Sequence, residues 1–190
     1  MKYAMDEIVN LYMKYHTDVK INTVYGSSGN MFTQISNGAP YDIYYSADIE
    51  YPKKLKLMGK AVGNVKPYAI GRIVLWSNTL NTTKGMSSLL SPSVKKIAIA
   101  NPDHAPYGRA AVAALKHYGI YGNVKDKLIY GENISQAAQY VQTKSADVGI
   151  LALSIATSPA LKTNLPYLIP QSSHPLLVQG YVQVTNNTDA

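Results

Sequence analysis

The chain has 190 residues, 46% hydrophobic and 15% charged, which is long enough to bury a substantial core and too apolar for a disordered polymer. Its formal charge of +7 comes from scattered basic residues without a helix-turn-helix, zinc-finger or aromatic RNA-binding signature, so nucleic acid is not expected as a partner. Cysteine is absent, which removes disulfide scaffolds, thiol nucleophiles and thiolate metal sites, and no run of about 18 apolar residues suggests a membrane span.

Apolar spacing predicts a first helix at about 2–15, carrying Ala4, Met5, Ile8, Leu11, Tyr12 and Tyr15 on one pattern. It starts directly after Met1, and no secretion signal is read there. A strand-like run follows at 19–25, then a helix at 29–37, a strand at 41–45 and a helix at 50–58. Further on come strands at 70–76 and 96–100, a helix at 107–118, a strand at 127–130, a helix at 134–144, and strands at 147–152 and 177–185. Glycine and proline fall between these elements, as at Gly38-Ala39-Pro40, Gly59, Gly85, Gly119 and Pro166. The alternation implies a mostly parallel sheet with helices on its faces. Lobe boundaries fall near Tyr68 to Arg72 and near Gln171 to Val178, and the last strand ends at Asn186 to Ala190 without a closing helix.

Two strand-to-helix turns stand out. Ala100 to Arg109 leads from a strand into a helix through Pro106-Tyr107-Gly108, and Val24-Tyr25-Gly26-Ser27-Ser28-Gly29 repeats the arrangement. A helix start leaves backbone N–H groups without intrahelical acceptors and carries the positive end of the helix dipole, so it suits an anion. Ser27 and Ser28 can cap their helix or donate outward, with Gly26 and Gly29 allowing close backbone approach. The N–H groups of Tyr107 and Gly108, and the Tyr107 hydroxyl, are donors at the second start, although a packed ring would explain the tyrosine equally well. Asn133 suits an N-cap, which leaves the N–H of Ile134 for a ligand.

Other chemistries find little support. His16, His104, His117 and His174 are far apart, with no paired metal spacing. Asp42, Asp48 and Glu50 would act as paired carboxylates only if the fold added another acid. There is no nucleophile elbow or Rossmann fingerprint, and Gly26-Ser27-Ser28-Gly29 lacks the lysine of a P-loop. No coherent acid, base and nucleophile set points to an enzyme.

The order of Gly26-Ser27-Ser28, of Gly38-Ala39-Pro40-Tyr41-Asp42-Ile43 with Ser46-Ala47-Asp48, of Asn101 to Gly108, and of Ala146-Asp147-Val148-Gly149-Ile150 closely resembles the molybdate-binding proteins of bacterial ABC importers. The resemblance implies an α/β fold of the periplasmic-binding-protein type II, with two lobes joined by crossover strands and the ligand in the cleft between them. Residues 1–70 plus 179–190 would form a first lobe lacking its opening strand and C-terminal helix, and 71–178 the second. The implied ligand is molybdate or tungstate, held by Ser28, Tyr107 and Ile134 with Ser27 and Gly108 beside them. Molybdenum would enter only as the oxyanion, with no direct protein–metal bond and no cofactor. Some members use a tyrosine after the Ala-Asp-Val-Gly strand; Ala152 stands there in this chain, and Tyr107 would supply the hydroxyl as in a subgroup of the family.

A further donor of the family precedes Met1, so weakened binding is expected of this chain, because an anion stripped of water needs nearly all its oxygens hydrogen-bonded. The implied partner is a membrane permease, the implied state a monomer, and the implied location the periplasm or the cell surface. Two alternatives remain at this level: a receptor for another oxyanion such as sulfate, and the effector-sensing domain of a transcription regulator.

Overall fold

A computed structural model describes residues 2–161 and 164–185. The chain runs α1 (Lys2–Tyr15), α2 (Ser28–Ser36), β1 (Ile43–Ser46), α3 (Glu50–Leu57), β2 (Lys66–Gly71), β3 (Ile73–Trp76), β4 (Ile97–Ala100), α4 (Pro106–His117), α5 (Tyr121–Val124), β5 (Leu128–Gly131), α6 (Ile134–Gln142), β6 (Val148–Ala152), α7 (Leu153–Ala156), β7 (Tyr167–Leu168) and β8 (Leu177–Gln183). The expected end of the chain at Asn186 to Ala190 lies outside the described residues.

The strands β3, β4 and β6 are buried at every position. Unbroken apolar runs of this kind belong to strands covered on both faces. They form the middle of a five-stranded sheet of order β5-β4-β6-β3-β7. β4 runs parallel to both β5 and β6, whereas β3 is antiparallel to β6 and β7. Trp76, Leu75, Ile97, Ile99 and Ile150 are fully enclosed in the apolar cluster around this sheet, together with Ala111 and Leu115 of α4 and Val141 of α6.

A second, three-stranded sheet has the order β1-β8-β2 and is antiparallel throughout. Its own apolar cluster contains Ile35, Tyr44, Leu55, Ala61 and Val182. The mostly parallel arrangement expected from the alternation therefore holds only around β4. The cause is the route of the chain: β8 returns from the larger sheet and runs against both its neighbours, so it cannot share their direction. The run expected as one strand at 70–76 is two, with Arg72 alone between β2 and β3, which lie in different sheets. β8 also serves both bodies, with Leu177 in the larger cluster and Val182 in the smaller.

The strand-like run at 19–25 does not form a strand. Neither sheet offers it a neighbour, and an extended segment without a ladder has no regular partner for its N–H and C=O groups. It is tied instead to α1 by the Tyr25 hydroxyl, which donates to Asp6. α1 is helical as its spacing predicts, yet it buries no residue, and Ile8 and Leu11 are 60% and 56% exposed. Among the described residues no helix is long and apolar enough to cross a membrane.

Candidate functional site

Three helix starts carry the candidate residues. At α2, Ser27 is the N-cap, and its Oγ accepts from Asn30 N at 3.4 Å while its carbonyl accepts from Met31 N at 3.0 Å. Gly29 N donates to the carbonyl of His104 at 2.9 Å. Among the described residues, the N–H of Ser28 meets no acceptor. The Ser28 hydroxyl is buried and accepts from Ala47 N at 3.0 Å, and the Ser28 carbonyl accepts from Tyr44 Oη at 2.6 Å. A backbone amide can only donate, so the Ser28 hydroxyl hydrogen is turned away from Ala47. Burial raises the Tyr44 phenol, which keeps it protonated and able to hold that carbonyl.

At α4 the N-cap is Ala105, which has no side chain that could cap, and Pro106 at the first position has no N–H. Gly108 N and Arg109 N both donate to the Ala105 carbonyl, at 3.0 and 3.1 Å. Tyr107 is left with an N–H that meets no acceptor among the described residues. Its hydroxyl accepts from Nε2 of Gln179 on β8 at 2.7 Å, and burial pushes the phenol up to about 12. The N–H of Gly108 is turned to Ala105, so Gly108 shapes the site through its missing side chain: a Cβ there would lie 2.1 Å from the Ala100 carbonyl.

At α6, Asn133 is the N-cap, and its Oδ1 accepts from Ser135 N and Gln136 N, both at 3.0 Å. The N–H of Ile134 meets no acceptor among the described residues. Capping and an outward donor are thus compatible, because the cap serves the second and third helical positions and leaves the first. α4 and α6 start at one sheet edge, since they follow the parallel strands β4 and β5, whose last residues Ala100 and Gly131 are paired.

His104 and Glu132 bring α2 to that edge. His104 Nδ1 lies 2.8 Å from Ser27 Oγ and its Nε2 lies 3.7 Å from Glu132 Oε2, while Asn30 Nδ2 donates to Glu132. On the flank, Arg109 pairs with Asp48 at 2.8 Å and donates to Tyr51 Oη at 3.3 Å. Tyr68 Oη donates to the Ser46 carbonyl at 3.3 Å, and its phenol is raised by burial and then by the neighbouring Tyr107. The five expected site residues therefore gather around one junction, between α2 on one side and the starts of α4 and α6 on the other. Its donors are neutral amides and hydroxyls, and the Arg109 guanidinium is engaged by Asp48.

The three carboxylates do not converge. Asp42 accepts from Thr185, Asp48 pairs with Arg109 and Glu50 pairs with Lys53. The other histidines lie elsewhere, His16 stacked on Tyr12 and His174 buried beside Pro175, and no cluster of three metal-ligating side chains occurs among the described residues. An open cavity of about 490 Å³ near Thr82, Lys84, Ser88 and Val94 shares no residue with the junction.

Two sheets with separate cores, joined by strands that pass from one body to the other and facing each other across helix starts, define a two-lobed fold of the periplasmic-binding-protein kind. The chain belongs to the family of bacterial extracellular solute-binding proteins, whose model matches residues 1–190. It is 38% identical over 135 residues to a molybdate-binding protein ModA of Rhodobacter capsulatus, a match covering 70% of this chain and 54% of that protein. It is 39% identical over 152 residues to the molybdate-binding protein ModA of Azotobacter vinelandii, covering 79% of this chain and 60% of that protein. The chain thus spans little more than half the length of these curated relatives. In structure it is similar to the periplasmic molybdate-binding protein of Azotobacter vinelandii, with a TM-score of 0.88 and 30% identity over 97% of this chain and 82% of that one. A substrate-binding domain of a putative molybdenum ABC transporter from Clostridium difficile gives a TM-score of 0.66 at 26% identity, covering 99% and 82%.

Sequence reasoning missed Gln179, Ala47 and the bridging part of His104. Gln179 carried one signal, an amide between Val178 and Gly180 at a buried position of β8, and a buried amide needs a partner. Ala47 acts through its backbone, and nothing in its side chain could mark it.

Proposed function

We propose that this chain is the substrate-binding component of an ABC importer and that it captures a tetrahedral oxyanion, molybdate or tungstate, for delivery to a membrane permease. The observation that supports the reading is that the starts of α2, α4 and α6, tied together through His104 and Glu132, each leave an N–H without an acceptor among the described residues, at Ser28, Tyr107 and Ile134, while the hydroxyls of Ser28 and Tyr107 each accept from the protein and keep their hydrogens for a ligand. Neutral donors fixed at helix starts stabilise a dianion without a mobile countercharge. Ser27 orients the α2 start through its cap, and Gly108 lets α4 approach β4. The names of the Rhodobacter and Azotobacter relatives support the choice of ligand.

The lobes are assigned as residues 1–70 plus 179–190 and residues 71–178, so that β2 into β3, and β8, form the crossovers about which the cleft closes. The protein works as a monomer in the periplasm or at the cell surface, without a cofactor. Thermal unfolding against molybdate, tungstate, sulfate and phosphate tests the assignment. A ligand at about 100 times its dissociation constant stabilises by roughly 2.7 kcal/mol. Stabilisation by molybdate and tungstate is expected; silence toward both, or an equal response to phosphate, would overturn the reading.

A further inference from the structure

We propose that Gln179 sets the ligand specificity of the cleft by fixing the polarity of the Tyr107 hydroxyl. The inference rests on the oxyanion reading and deepens it. A phenol can donate or accept, and a cleft containing a free phenol would accommodate a protonated oxyanion as readily as a bare one. Here the Gln179 amide, 6% exposed, places Nε2 2.7 Å from the Tyr107 oxygen and occupies an acceptor position on it, so the phenolic hydrogen is turned away from Gln179. Among the described residues the phenolic hydrogen meets no acceptor, which leaves it for a ligand in the cleft. The pair is held in a tight space: a Cβ on Gly71 would lie 2.8 Å from the Tyr107 oxygen and 2.9 Å from Gln179 Nε2, so only glycine on β2 lets the two approach there.

The second hydroxyl is locked in the same sense, since Ser28 Oγ accepts from Ala47 N at 3.0 Å. With both hydroxyl hydrogens turned away from their protein donors, a monoprotonated phosphate would bring a hydrogen that competes with them, because a hydroxyl that accepts from a ligand oxygen no longer donates to that oxygen. An unmatched buried donor is a strong basis for rejection. Molybdate, tungstate and sulfate are fully deprotonated near neutral pH and suffer no such mismatch. Selection against phosphate would therefore lie in a strand residue that need not touch the ligand, and selection among the bare dianions would be left to size.

Gln179→Glu is the test, because it keeps the shape and replaces the amide donor with an acceptor. Calorimetric titrations at pH 7.5 with molybdate and phosphate would compare the wild type, Q179E, Y107F and the double variant. In Q179E the tyrosine donates to the carboxylate. Molybdate affinity should fall at least tenfold, and the ratio of phosphate to molybdate dissociation constants should shrink by at least tenfold. In the Y107F background, adding Q179E should change the ratio less than twofold, since the group it acts through is gone. A wild type that binds molybdate beside a Q179E whose ratio stays within twofold would overturn the inference, as would additive effects of the two substitutions.

A wild type that ignores molybdate would instead overturn the oxyanion reading, so a ligand-free measurement separates the two. The ¹³Cζ resonance of Tyr107 in the free protein, assigned by its loss in Y107F, should move in Q179E and in Q179M; an unmoved resonance in a folded variant refutes the Gln179 contact. Circular dichroism establishes folding, and Q179M serves if Q179E does not fold.

Discussion

Gly29 is where α2 touches the loop before α4, and its replacement by alanine separates closure from folding. A Cβ there would stand 2.7 Å from the His104 carbonyl oxygen and 3.0 Å from His104 Cα, against ordinary contact beginning at 3.4 Å. The obstructing atoms are backbone, so the helix and the loop must part by about 0.7 Å, taking the shorter of those distances to ordinary contact. That movement stretches the Gly29 N to His104 O bond, now 2.9 Å, beyond useful range and loosens the 2.8 Å contact between Ser27 and His104. Two hydrogen bonds at about 1 kcal/mol each amount to about 2 kcal/mol, or a roughly 30-fold weaker dissociation constant. Both apolar cores lie away from the contact, so the ligand-free unfolding midpoint should fall by less than it does for a core truncation. Calorimetric titration with molybdate, paired with ligand-free thermal unfolding, measures both quantities. An affinity within threefold of the wild type, or a ligand-free midpoint that falls as it does for a core truncation, would refute the reasoning.

Gly108→Ala should be worse tolerated, because its Cβ would lie 2.1 Å from the Ala100 carbonyl; a loss of about 1–3 kcal/mol or more is expected in denaturant unfolding. Asn133→Ala removes the acceptor for Ser135 N and Gln136 N and should cost about 1 kcal/mol, with weaker oxyanion binding as the α6 start loosens. Leu75→Ala, at a fully buried position in the larger cluster, should cost about 2–5 kcal/mol by the same unfolding assay while leaving the donors in place. Alkaline titration should destabilise the fold. Tyr107 is raised from an ordinary value near 10 to about 12, so its contribution is fully present below pH 10 and is lost as pH rises through 12. That contribution is of the order of 2–3 kcal/mol, and Tyr44 and Tyr68 act in the same direction; Y107F should flatten the decline in unfolding midpoint over that range.

The helix starts were legible because they depend on local chemistry. Ser27 and Asn133 are capping residues followed by apolar spacing, Pro106 fits only the first turn of a helix, and their register holds in the structure to within a residue or so. The runs that form β4 and β6 were legible as strands for a similar reason, since they are short and apolar between breakers, whereas β3 was read as one strand with the end of β2. The run at 19–25 shows where local pattern fails. Its composition suits a strand, but a strand exists only with a neighbour, and neighbours are set by topology.

The same limit applies to the candidate site. Ser28, Tyr107 and Ile134 could be named from motif and resemblance, whereas the direction in which each hydroxyl donates depends on Ala47 and Gln179, 19 and 72 residues away in the chain. His104 lies 77 residues from Ser27, and nothing in the periodicity of either segment encodes their contact. The sequence by itself determined which turns open helices, which runs are apolar, and which residues can donate to an anion, because these follow from side-chain chemistry within a few positions. Only the tertiary structure decided the antiparallel course of β8, the meeting of α2 with the edge that carries α4 and α6, and the polarity of the two hydroxyls. The Ser28–Ala47 contact needs only the return of β1 beside α2, the meeting of α2 with His104 needs one crossing between the sheets, and the course of β8 with its Gln179–Tyr107 contact needs two, and none of these is set by residues within a few positions of one another.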